Sequence, residues 1–272
     1  MEAALLLREG PVYRREAFAA GLTQCGFFVR MDWPTAPSVI VTWNRYGRFD
    51  EYCRRQEASG VPVLVVENGY FGKDTFDTPV FAMSLGAHAG AGRWPRATGA
   101  ARWAQLGLHP LPLQRPPAGR GLRALALGQR GIGQPGVASP EGWARTAAQL
   151  LHGWGVSVVI REHPGNLAAQ RLAPDLRRVL EDVDFVATWN SGAAIKAMLL
   201  GKPVLYAAPH WVAARGALPL CRESLQKLPH MEDTRQQGFE DVAAAQWSLD
   251  EISSGEAIRS LLEYDNANPI CG

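Results

Sequence analysis

Residues 185–206 read FVATWNSGAAIKAMLLGKPVLY. Phe185–Trp189 is a short run that is apolar almost throughout. Asn190-Ser191-Gly192 is turn chemistry, Ser191–Leu200 has helical character, and Gly201-Lys202-Pro203 stops it ahead of a second run, Pro203–Tyr206. Strand, helix, strand within so short a stretch is a β-α-β unit, and strands without polar alternation belong to a parallel sheet covered on both faces.

The same rhythm extends outward. Leu122–Leu127 and Val156–Ile160 read as strands, with a helix opening at Ser139-Pro140-Glu141-Gly142 and ending near Gly153, and another near Leu172–Leu180. In the first half, strands are expected at Ala3–Leu7, Val39–Trp43, Val61–Val66 and, more weakly, Val80–Leu85. Helices are expected at Tyr13–Cys25 and Phe49–Ser59. Residues 109–121, HPLPLQRPPAGRG, are too rich in proline and glycine for a regular element and read as a linker. Leu249–Leu262 is amphipathic with Asp250 and Glu251 at its start, as a terminal helix would be, and Asp265–Gly272 reads as a frayed tail. The expected architecture is α/β: two facing Rossmann-like domains, 1–112 and 120–248, with a helix over 249–264 packing back on the first. Ligands of such sheets bind beyond the carboxyl ends of the strands, which points to the cleft between the domains.

Composition narrows the class. The chain has 272 residues, 47% hydrophobic and 20% charged, with a formal net charge of +2. That is globular and names no partner by bulk charge. Four scattered cysteines without a C-x-x-C form neither a zinc ribbon nor a disulfide framework, which suits a cytoplasmic setting. No apolar run approaches the ~20 residues of a membrane span, and Met1-Glu2 lacks the basic start of a signal peptide.

Three loops follow successive strands of the second half. Asn190-Ser191-Gly192 opens a helix whose free N–H groups suit a phosphate, with Lys196 one turn on; the same residues also make an ordinary capped helix. Arg161-Glu162-His163-Pro164-Gly165 places Arg161 and His163 at the same strand edge. There His163 is either a donor to phosphate, ribose or base, or a structural turn residue. Gly128-Gln129-Arg130-Gly131-Ile132-Gly133-Gln134-Pro135-Gly136 is a glycine loop able to wrap a diphosphate around Arg130 and Gly131, or a surface loop. Their coincidence at one sheet edge favours the ligand readings. In the first half, Glu67 and His88 follow strands and are candidates for a general base, His88 preferred because its glycine-flanked loop has no structural need of a histidine. Between Thr78 and Pro140 there is no Asp or Glu but seven arginines, with Trp94 and Trp103 interleaved. With Arg45, the residues Arg93, Trp94 and Arg96 form a candidate nucleic-acid face; the alternative is an arginine-rich loop surface.

TWNSGAAIKAMLLGKPV, REHPG and the two-domain layout resemble the GT-B glycosyltransferases, in their capsule-type and phage-type branch. VTWNRYGRFD, ENGYFG, LGAHAGAGRW, QRGIGQPGVASPEGW and AQWSLDEISSGE resemble small bacteriophage and prophage proteins that glycosylate hydroxymethylated pyrimidines in phage DNA. The resemblance covers about residues 39–262. It implies that Ser191, Gly192 and the helix behind them hold a nucleotide diphosphate, His163 and Arg161 contact the donor, and Arg130 neutralises the leaving group. It further implies His88 or Glu67 as the base, a nucleotide sugar such as UDP-glucose as co-substrate, and no metal. The chain is short for that fold. Two other readings stand beside it: transfer to a capsule or surface saccharide, and a non-catalytic nucleic-acid-binding protein. A dinucleotide oxidoreductase fits poorly, because Arg8-Glu9-Gly10-Pro11 lacks the glycine fingerprint.

Overall fold

The computed structural model describes residues 1–43, 45–72, 78–88, 90–117, 119–165 and 175–268. Leu172, Ala173 and Pro174 of the helix expected over 172–180, and the tail beyond 268, lie outside the described residues. The chain divides into two units: Met1–Ala100, Gly133–Pro135 and Ala243–Gly272 form unit 1, and Ala101–Ile132 with Gly136–Val242 form unit 2.

Unit 1 begins β1 (Glu2–Leu6), α1 (Arg15–Gln24), β2 (Phe28–Arg30), β3 (Val39–Thr42), α2 (Arg48–Glu57), β4 (Val63–Asn68) and β5 (Val80–Leu85). Ala4, Ile40 and Val63 stand in register across β1, β3 and β4. They face Tyr52 and Cys53 of α2 together with Leu6 and Val65. Every residue of β3 is buried, as a strand covered on both faces requires. The expectation of a wholly parallel sheet fails at β5, which runs antiparallel to β4, with Leu85 opposite Leu64 and Phe81 opposite Asn68. The link between them, residues 69–79, is shorter than a parallel crossover needs.

Unit 2 contains α3 (Gly99–Leu106) from Ala101 onward, then β6 (Arg123–Leu127), α4 (Trp143–Gly153), β7 (Ser157–Arg161), α5 (Leu176–Glu181), β8 (Phe185–Thr188), α6 (Gly192–Leu199), β9 (Val204–Tyr206), β10 (Leu218–Pro219), α7 (Arg222–Lys227) and most of α8 (Arg235–Ala244). Its five strands are all parallel, in the order β10-β9-β8-β6-β7. Ala126, Ala187 and Leu205 lie in one line across the sheet. They belong to a core with Trp143, Ala147 and Leu151 of α4. The proline-rich stretch is not a free linker. Leu111 and Gln114 donate their N–H groups to Leu199 O and Gly201 O, each at 2.8 Å. The buried guanidinium of Arg235 donates to Leu111 O and Met198 O.

The chain then returns to unit 1 with β11 (Gln246–Ser248), α9 (Leu249–Ser253) and α10 (Glu256–Ala267). β11 pairs antiparallel with β5 and completes the order β11-β5-β4-β3-β1-β2. The single helix expected over 249–264 is two helices. Ser248 and Glu251 form a reciprocal capping box at the start of α9, and Gly255, at φ +79°, breaks the run before α10. Gly21 of α1 lies hard against α9, since a Cβ there would stand 2.0 Å from Ile252 O. Cys25, Cys53 and Cys221 are free thiols. No described helix is long and apolar enough to cross a membrane.

Candidate functional site

In unit 2 the chain leaves β6 toward β7 on one side and returns past it to β8 on the other. The loops after β6 and β8 therefore diverge, which makes the crevice where doubly wound sheets bind ligands. Gln129 and Asn190 join the two loops: Gln129 Nε2 donates to Asn190 Oδ1 at 2.6 Å, and Asn190 N–H donates to Gln129 Oε1 at 3.0 Å. Asn190 Nδ2 and Trp189 Nε1 both donate to Val137 O, at 3.0 and 3.1 Å, fastening the far limb of the glycine loop. Asn190 is thus a structural clasp, with its amide already engaged.

The turn into α6 was expected to offer free N–H groups, and the structure shows most of them in use. Besides Asn190 N–H, Ser191 N–H donates to Thr188 Oγ1, Ala193 N–H to Ser191 Oγ, and Ala194 N–H to Ser191 O. Gly192 keeps the one amide of residues 190–194 open to a ligand. Lys196 sits half-buried on the next turn and is itself engaged.

The open polar surface lies one strand over. A cavity of about 380 Å³ is lined by Gly128–Gly131, Ser139–Arg145 and Glu162. It takes in the start of α4, whose N-cap Gly142 has no side chain to cap with; Ala144 N–H has no hydrogen-bond partner among the described residues. Of the sequence candidates, Arg130 and Gly131 line it. Arg161, His163, Asn190, Ser191, Gly192 and Lys196 do not, but His163 stands next to Arg130. A Cβ on Gly165 would meet His163 Nδ1 at 2.9 Å and Arg130 Cδ at 3.0 Å, so both side chains crowd one glycine. Gly165 N–H donates to His163 Nδ1 at 2.8 Å, which puts the imidazole proton on Nε2. Burial pulls the His163 pKa below its ordinary 6.5, and Arg130 and Arg161 lower it further. His163 is therefore a neutral ring presenting an Nε2–H donor beside a guanidinium. Burial also lowers the half-buried Arg161, with Asp175 opposing.

The unit 1 candidates separate. Glu67, near the carboxyl end of β4, accepts the Tyr70 hydroxyl at 2.6 Å. Because β5 runs antiparallel, the loop carrying His88 leaves from the other edge of the sheet. It folds back until His88 Nε2 lies 2.9 Å from Trp43 O. A carbonyl only accepts, so Nε2 bears the proton, and Nδ1 is left buried with a free lone pair. Arg45 is 2% exposed, its Nε 3.0 Å from Asp50 and its Nη2 2.9 Å from Glu57. Arg93 holds Asp265 and Asn268 O. Trp94 is buried with the exposed Arg96 guanidinium 4.6 Å from its ring centroid, and Trp103 stacks on Phe239. Arg120 pairs with Asp184. Within the acid-free segment, Arg93 and Arg120 are thus answered by acids from elsewhere in the chain, while Arg96 stays exposed. Among the described residues no group of His, Cys, Asp and Glu could hold a metal ion.

Solved structures match this arrangement of elements. The Thermosulfurimonas dismutans KpsC β-Kdo 2,7-transferase matches with a TM-score of 0.57 at 12% identity, over 97% of this chain and 100% of that one. The β-Kdo 2,4-transferase of the same organism's KpsC matches with a TM-score of 0.51 at 14% identity, over 90% and 92%. The chain has the fold of these Kdo transferases. No family model matches it, and no curated protein matches it in sequence.

Several site residues escaped the sequence reading although they lay inside motifs already singled out. Gln129 and Glu162 were passed over for their charged or aromatic neighbours. Gly165 and Gly128 were read as turn residues, whereas their missing Cβ atoms make room for His163 and Arg130 and for Glu162. Arg145 and the uncapped start of α4 carried no motif.

Proposed function

We propose that the protein is a glycosyltransferase that takes a sugar from a nucleotide-activated donor, held by unit 2, and passes it to a saccharide hydroxyl. The observation that carries this reading is the cavity at the carboxyl edge of β6 and β7, in a chain with the fold of Kdo transferases. Arg130 and Ala144 line it, and His163 stands beside Arg130 at Gly165.

In the transfer, the bond from the anomeric carbon to the donor phosphate oxygen breaks and a bond to the acceptor oxygen forms. The acceptor's proton goes to a base. Negative charge grows on the departing phosphate, where a guanidinium fork, a neutral imidazole N–H and a helix N-terminus are the appropriate partners. These groups supply the neutralisation without a resident cofactor. The donor class we assign is a nucleotide diphosphate sugar, UDP-glucose being the first to test. Of the two base candidates we keep His88, whose Nδ1 has no hydrogen-bond partner but is buried and must be uncovered for the acceptor to reach it; Glu67 already accepts the Tyr70 hydroxyl. A hydroxymethylated pyrimidine in DNA is the other acceptor. It has lost its main support, because Arg45, Arg93 and Trp94 are engaged within unit 1.

The test is turnover of UDP-, GDP- and CMP-activated sugars, read as nucleotide release and as mass added to the acceptor. Its two acceptor arms are a Kdo-terminated saccharide and hydroxymethylated DNA. Saccharide-stimulated release with a sugar-sized mass increase is expected, and His88→Gln should abolish it while sparing donor binding. Product on DNA alone would move the acceptor. Failure of every nucleotide sugar to bind would overturn the reading.

A further inference from the structure

Arg130, Glu141, Arg145 and Glu162 all line the same cavity, and among the described residues none of the four has an ion-pair or side-chain hydrogen-bond partner. Two guanidinium groups answer to a phosphate. Glu162 answers to something else, because an ionised carboxylate only accepts hydrogen bonds and repels a phosphate. Its complement in a nucleotide is a pair of neutral donors.

The place of Glu162 in the fold narrows the choice. It follows directly on Arg161, the last residue of β7, which is the second strand of unit 2 and lies beside the first. In dinucleotide-binding sheets, which share with this one a first strand lying beside the second, the glycine loop after the first strand takes the phosphates and an acidic residue beyond the second takes the ribose hydroxyl. The glycine loop is present in the right place, and its first residue is shaped for this carboxylate. A Cβ on Gly128 would stand 2.8 Å from Glu162 Oε2 and 3.2 Å from Glu162 Cα, so only glycine lets Glu162 lie across the end of β6. Gly128 N–H in turn donates to Arg161 O at 2.8 Å and ties the two strand ends together.

We propose that Glu162 binds the vicinal ribose hydroxyls of the donor nucleotide, making the cavity over Gly128 a nucleoside site selective for ribose over deoxyribose. This rests on the glycosyltransferase reading above.

The experiment is calorimetric titration of the full chain with UDP and CMP and with their 2′-deoxy counterparts, for the native protein and for Glu162→Gln. The native protein should bind the ribonucleotide about tenfold to a hundredfold more tightly, since a lost hydrogen bond to a charged group has that effect on binding. Glu162→Gln should cut the difference to a few-fold, weakening the ribonucleotide more than the deoxynucleotide, which keeps only its 3′-hydroxyl for this side chain. Glu162 is exposed, so its replacement should leave the unfolding transition in place. Equal native affinity for ribo and deoxy forms, or a preference that survives Glu162→Gln undiminished, overturns the inference while the donor site stands. A change in base preference at an unaltered ribose preference overturns it too, by moving Glu162 to the base edge. Failure of the native protein to bind any of the four nucleotides removes the glycosyltransferase reading and this inference with it.

Discussion

Gly165→Ala tests the donor site without removing any functional group. Gly165 does not have a positive φ, so alanine suits its backbone. The added Cβ would stand 2.9 Å from His163 Nδ1, 3.0 Å from His163 Cε1 and 3.0 Å from Arg130 Cδ. Carbon contacts settle near 3.5–4.0 Å, so the ring and the arginine stem must each retreat by roughly 0.5–1 Å. That retreat lengthens the 2.8 Å bond from Gly165 N–H to Nδ1, which fixes the tautomer, and it displaces the Nε2–H donor and the guanidinium together. Losing a hydrogen bond to a charged group costs about 1.5–3 kcal/mol. A displaced bond should cost the lower part of that range, so UDP should bind about tenfold more weakly. Titration calorimetry on the native protein, Gly165→Ala and His163→Ala measures this, with thermal unfolding to show that the fold is kept. If Gly165→Ala binds UDP as the native protein does while His163→Ala is clearly weakened, the ring is not positioned by Gly165 and the reasoning fails.

Three other perturbations have defined outcomes. Gly21→Ala forces a methyl onto Ile252 O and should cost about 3 kcal/mol, the upper part of the usual overpacking range, read from denaturant midpoints. Arg45→Met removes a buried guanidinium, but Asp50 keeps its pair with Arg54 and Glu57 is 32% exposed, so it should destabilise the protein by about 1–2 kcal/mol while leaving retention on immobilised DNA unchanged; weaker retention would restore Arg45 to a nucleic-acid face. His163 titrates below 6.5 when folded and near 6.5 when unfolded, so beneath pH 6.5 the unfolded chain binds more protons. Stability should therefore fall as the pH drops from 6.5 toward the folded value and be insensitive to this group above 6.5. Equilibrium unfolding at pH 7.5 and 5.5 should show a smaller loss for His163→Ala than for the native protein.

The strands of unit 2 were legible because a parallel strand covered on both faces is apolar along its length, a signal that needs no knowledge of its neighbours. Strand direction left no such mark. Val80–Leu85 reads the same whichever way it runs, and only the short link before it argued for the antiparallel pairing. Gln246-Trp247-Ser248 was illegible as a strand, since its three residues pair with Val80, Phe81 and Ala82, far back in the chain. Two partners of the basic segment were illegible for the same reason: Asp184 and Asp265, which answer Arg120 and Arg93, arrive from distant positions.

The anion site shows most clearly where local reading stops. Asn190-Ser191-Gly192 was correctly read as strand, turn and helix, and the amides of such a turn are donors by rule. Whether they remain donors depends on what folds against them. Here Gln129, Thr188 and Ser191 itself take up three of those N–H groups. The start of α4 has the weaker motif and no side-chain cap, yet it too leaves one amide unpaired: Trp143 N–H goes to Pro140 O and Arg145 N–H to Gly142 O, while Ala144 N–H has no partner among the described residues. What separates the two turns is their surroundings, since Ala144 lines the cavity that Arg130 and Arg145 share and Gly192 does not.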